Sequence, residues 1–80
     1  MRILNSPSPK FSTGKSVVII KPYTSGNIKL KLGTVGTIID VVQESFPDYG
    51  LFNIDILSID FGIHTIVIGE GPAKEYMRLL

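Results

Sequence analysis

Few residues in this chain have the type and spacing for chemistry, and each sits where a structural use competes. Ser12-Thr13-Gly14-Lys15-Ser16 ends like a phosphate-binding loop. Such a loop needs a glycine five residues before its Gly-Lys pair, a strand before it and a helix after it, so that helix N-terminal amides face the phosphate. Position 9 is a proline instead, and the β-branched run Val17-Val18-Ile19-Ile20 follows. Gly69-Glu70-Gly71-Pro72 begins like a dinucleotide fingerprint, but Lys74 stands where the third glycine belongs. Turn and capping chemistry accounts for both. Asp60-Phe61-Gly62 spells a kinase triplet, yet eighty residues cannot house the other parts of a kinase, so it reads as a hairpin turn.

The only histidine is His64, with Asp55 and Asp60 nearby in sequence. Together they could form a weak metal site or an acid-base pair. The two carboxylates fall on a strand and a turn with no evident convergence, so a surface histidine is the expectation. No cysteine is present, which removes disulfides, thiolate metal sites and cysteine nucleophiles. A domain this small also lacks a deep cleft in which to hold a nucleophile and oxyanion donors. The expectation is a protein that is not an enzyme and uses no cofactor or metal.

What remains is binding. Aliphatic and aromatic side chains in polar loops need either a niche in the core or a partner. Tyr23, Ile28, Leu30, Phe46 and Tyr49 are such residues, and they are the expected contacts of a protein partner. The alternative is nucleic acid, RNA or single-stranded DNA, held by Lys10, Lys15, Lys21, Tyr23, Lys29 and Lys31, because lysines interleaved with aromatics pair phosphates and stack bases. The balance of charge weakens that alternative. From Arg2 to Lys31 the chain is basic with no acid, and all seven acids lie from Asp40 onward, so the net charge is only +1. Folding could turn that polarity into a dipolar surface or mix it away.

The elements that would position these residues are short and β-rich. Apolar residues make up 44% of the chain, enough for one core and too much for disorder. Residues 1–12 carry Pro7 and Pro9 and read as an extended arm, leaving 13–80 as one domain. Residues 16–21 (SVVIIK) form a first strand stopped by Pro22, and 22–33 a long, partly packed loop. Residues 34–42 form a second strand, with a bulge expected near Gly36 because Val35 and Ile38 cannot both face inward on a regular two-residue period. After a turn over 43–50, residues 51–57 alternate, with Phe52, Ile54 and Ile56 expected inward. A reversal at 58–62 leads to a strand over 63–68. Room remains for one helical turn near Pro72 and a closing strand over 76–80. An open sheet so small would expose two long edges, so closure into a five-stranded barrel is expected.

The order of these signals resembles the SH3-like barrels. It rests on Gly14-Lys15-Ser16-Val17, on a long first loop opened by Lys21-Pro22, and on Gly33-Thr34-Val35-Gly36-Thr37-Ile38-Ile39-Asp40-Val41. A hairpin and a short helical turn of 3-10 type leading into Tyr76-Met77-Arg78-Leu79 complete it. The likeness is greatest to the group that includes the variable chain of ferredoxin-thioredoxin reductase and a small extrinsic subunit of photosystem I, with KOW-type barrels sharing the glycine-valine patterning. It implies an accessory subunit or interaction module. It departs from signalling SH3 domains, having no tryptophan pair and no acidic first-loop cluster to grip a PxxP ligand. With no apolar run near the ~20 residues of a membrane span and no thiols, a cytoplasmic protein without membrane contact is the expectation.

Overall fold

The computed structural model describes residues 10–48 and 53–80. The strands are β1 (Ser16–Ile19), β2 (Tyr23–Ser25), β3 (Ile28–Leu30), β4 (Val35–Ser45), β5 (Asn53–Asp60), β6 (Thr65–Gly69) and β7 (Met77–Leu79), with one helix, α1 (Glu70–Tyr76), between the last two. The fold is mostly β. Five strands form one antiparallel sheet in the order β6-β5-β4-β1-β7, and β2 and β3 form a separate two-stranded sheet.

β1 sits between β4 and β7, pairing Val17 with Gly36 on one side and with Leu79 on the other. The early and final strands therefore meet, as alternating β-branched residues require of a short sheet that buries one face. Closure fails at the other boundary. Among the described residues β6 and β7 are the two sheet edges, so hydrogen bonds do not complete a barrel. The reason is the helix: α1 carries the chain from β6 to β7, touches β5, β6 and β7, and buries Ala73 in the opening.

That helix is longer than the single turn expected and is α rather than 3-10. It starts after Gly69, which puts Pro72 in the first turn, where a missing N–H costs no intrahelical bond. Glu70 in the first turn and Lys74 in the last complement the helix dipole.

The region expected as a loop over 22–33 is a β-hairpin. Tyr23 pairs with Leu30, Thr24 with Lys29 and Ser25 with Ile28. Gly26 and Asn27 make the two-residue connection, and Gly26 takes φ 58°, the left-handed conformation that tight hairpin turns demand and glycine supplies without strain.

In β4 the irregularity lies between Ile38 and Asp40, not at Gly36. Gly36 and Ile38 point inward and Val35 outward, so no bulge is needed before Ile38; the extra residue is Ile39, after which Val41 returns toward the core. Gly36 has a different duty: a Cβ there would lie 2.6 Å from Cδ1 of Phe61.

The inward face of β5 is also corrected. Leu57 and Ile59 are fully buried, whereas Ile54 and Ile56 lie half-buried on the opposite face, and Phe52 falls outside the described residues. Ile59 pairs with Ile38 and Ile66, and Leu57 with Val41 and Ile68, giving two apolar rows across three strands. β5 runs on to Asp60, so the reversal falls later than expected. There Phe61 N–H donates to the His64 carbonyl at 2.8 Å, and the Asp60 carboxylate accepts from Gly62 N–H at 2.8 Å. Around these rows Phe11, Val17, Ile19, Leu30, Phe61 and Met77 complete the core, which contains no buried polar or charged residue among those described. Phe11, at the end of the expected arm, is one of its members.

Candidate functional site

The phosphate-loop look-alike is a turn. Gly14 N–H donates to the Ile38 carbonyl at 2.8 Å and Lys15 N–H to the Ser12 carbonyl at 3.1 Å, so both amides are occupied, and the chain enters β1 rather than a helix. Asp55 and Asp60 stand five residues apart on one strand, about 17 Å along its length. Among the described residues no group of three or more His, Cys, Asp or Glu side chains converges as a metal site. No described helix is long and apolar enough to cross a membrane.

The residues expected to meet a protein partner divide. Leu30 is 5% exposed and belongs to the core, so it offers a partner almost no surface while the hairpin keeps this position. Ile28 and Tyr23 pack against that core and are half-buried. Tyr23 also meets Tyr76 edge-to-face, with centroids 5.1 Å apart and planes at 77°. These side chains find the core niche that their apolarity demands. Phe46 is half-buried just beyond the end of β4, and Tyr49 lies outside the described residues.

The lysines of the nucleic-acid reading, Lys10, Lys15, Lys21, Lys29 and Lys31, are all exposed. Lys15 precedes β1 and Lys21 follows it, so the length of that strand lies between them. Lys21 is further engaged: its Nζ is 3.0 Å from Glu75 Oε2 and 5.6 Å from the centroid of Tyr76. The hydrogen bond to Glu75, then its charge, hold the Lys21 ammonium above its ordinary pKa. Tyr23, whose ring would have to stack on a base, has its edge-to-face contact with Tyr76 in place.

Two apolar surfaces were not anticipated. The first is the outer face of β4, β5 and β6. Paired residues share a face, so Val42 and Ile56 stand side by side with Gly69 next in the row, and Val67 joins through Ser58. Val42 is 48% exposed and Val67 66%. Ile54 and Ile56 flank Gly69, their methyl groups 3.9 and 4.0 Å from where a Cβ would stand, with Pro72 at 3.7 Å. Asp40 and Glu44 lie on the same face by register, and the bulged Ile39 beside Asp40 is about half exposed. The second surface is a shallow groove of about 380 Å³ lined by Phe11, Ile20, Lys74, Met77, Arg78 and Leu79.

The outer face escaped sequence reading because residues 51–61 carry two overlapping alternations, one through Ile54 and Ile56 and one through Leu57, Ile59 and Phe61. The signal that chooses between them is the returning strand. Ile66 and Ile68 pair with Ile59 and Leu57, and that match sets the buried face.

Compared with protein-family models, with curated proteins and with solved structures, the chain matches none of them.

Proposed function

We propose that this chain is a non-catalytic binding module on an SH3-like framework, a protein-interaction domain or accessory subunit whose contact surface is the outer face of β4, β5 and β6. The observation that carries the reading is the row Val42-Ile56-Gly69 with its neighbour Val67. Val42 on β4 and Val67 on β6 stand exposed on either side of the half-buried Ile56 of β5, and large apolar side chains left in water in one strip are a usual mark of a protein contact. Asp40 and Glu44 at its border favour a partner with basic residues around an apolar centre.

Connectivity supports the framework. A long excursion separates β1 from β4, a meander runs β4-β5-β6, and a helix feeds a last strand that returns beside β1. That is the order of elements which the likeness to SH3-like barrels implies.

Substituting the outer face tests the role. Val42→Ser with Val67→Ser removes apolar area from exposed positions, so the fold is retained while partner recovery from the cells that express the chain is lost. Undiminished recovery contradicts the assignment of this face.

A further inference from the structure

We infer that the open edge of β7 is a docking site for an extended peptide strand that alternates apolar and acidic residues. β7 is the last strand of the sheet and pairs only with β1. Leu80 N–H donates to the Ser16 carbonyl at 3.0 Å and Ile20 N–H to the Tyr76 carbonyl at 2.9 Å, so the even-numbered residues of this strand turn their backbone groups toward β1. Antiparallel ladders alternate. The N–H and C=O of Leu79 and the C=O of Met77 therefore face away from β1, toward an edge with no strand beside it among the described residues.

The groove runs along this edge, and its chemistry narrows the ligand. Phe11, Ile20, Met77 and Leu79 make it apolar, and its charged lining residues are both cations, Lys74 and Arg78. Arg78 is exposed and forms no ion pair among the described residues, while Lys74 reaches Glu70 only at 3.8 Å across solvent. Register adds the spacing. Met77 and Leu79 point to the core side of the sheet and Arg78 to the other. A strand laid beside β7 keeps the same alternation, so its odd side chains extend the apolar row and its even ones meet Arg78. Valine, isoleucine or leucine alternating with aspartate or glutamate satisfies both faces. A nucleic acid would meet the cations but could not pair with the strand edge. The site is separate from the outer face of β4, β5 and β6 and does not rest on its role.

The probe is a blocked hexapeptide alternating valine and aspartate, labelled for fluorescence anisotropy, with a lysine-for-aspartate version as control. Two further versions carry N-methyl groups on alternate residues, one set blocking the amides that would face β7 and the other sparing them. The acidic peptide binds and the basic one does not. Arg78→Glu weakens the acidic peptide by about tenfold or more, and only one of the two N-methylated versions loses binding. Ile63→Ser, a change at an exposed position in the turn between β5 and β6, leaves the affinity unchanged. Equal binding of acidic and basic peptides overturns the proposal, as do insensitivity to Arg78→Glu, insensitivity to both N-methyl patterns, displacement by oligo-dT, or no binding at millimolar peptide. Arg78 is exposed, so its variant keeps the fold; circular dichroism matching the parent verifies this.

Discussion

Phe61 occupies the space that a side chain on Gly36 would need: a Cβ at position 36 would come within 2.6 Å of Cδ1 and 2.7 Å of Cε1 of the ring, and 3.0 Å from the Asp60 carbonyl oxygen. Phe61 is nearly buried and follows β5, while Gly36 pairs with Val17 in the centre of the sheet. Gly36→Ala therefore destabilises by about 1–3 kcal/mol, the usual cost of overpacking. Combining it with Phe61→Leu recovers part of that loss, and urea unfolding of the two single variants and the double one reads the coupling. Simple addition of the two effects would show that the ring and the glycine do not share this space.

The parity of β5 is open to a direct comparison. Leu57→Ala removes a fully buried side chain and costs about 2–5 kcal/mol, enough to unfold much of a domain this small. Ile56→Ala, one residue away on the half-buried face, costs distinctly less. Thermal unfolding of both settles which face is the core, and a larger loss at Ile56 would reverse the assignment.

The Lys21–Glu75 pair links the end of β1 to α1 across 54 residues of chain. Its folded-state lysine pKa is raised, so its contribution is complete below the unfolded lysine value, near 10.4, and is lost as pH rises through the higher folded value. The stability gap between parent and Lys21→Met is therefore flat from neutral pH to about 10 and narrows above it. Both side chains are more than half exposed, so the gap is small and shrinks with salt. A gap that widens at alkaline pH would contradict the pairing.

A net charge of only +1 predicts weak nucleic-acid affinity. A salt titration with single-stranded RNA and DNA shows no measurable binding at physiological salt and little at about 50 mM. Strong binding with a steep salt slope would restore the nucleic-acid reading and place Lys29 and Lys31 in it.

Much of the fold is legible in the residues. The first strand, the turn at Asp60-Phe61-Gly62 and the returning last strand follow from propensity and turn chemistry and are present, although the first strand expected over 16–21 stops at Ile19 and the last, expected over 76–80, is Met77–Leu79 because Tyr76 ends α1. The β2–β3 hairpin was missed although Gly26-Asn27 is a two-residue turn signal, because arms of three residues fall below the length at which alternation shows. Barrel closure was overestimated because α1, not a strand pairing, fills the opening between β6 and β7. The site was the least legible part. Tyr23, Ile28 and Leu30 are apolar residues among polar ones, a pattern equally suited to a lid and to a contact, and three-dimensional pairing made them a lid. The outer face depends on strand parity, which lies in the match between β5 and β6 rather than in either strand alone.

A photo-crosslinking amino acid at Val67, compared with the same group at Lys31, tests the proposed contact surface most directly in cells that express the chain. The outer face predicts a discrete protein adduct from position 67, abolished by Val42→Ser, and none from position 31. Adducts to nucleic acid, or a protein adduct from position 31 alone, would contradict it.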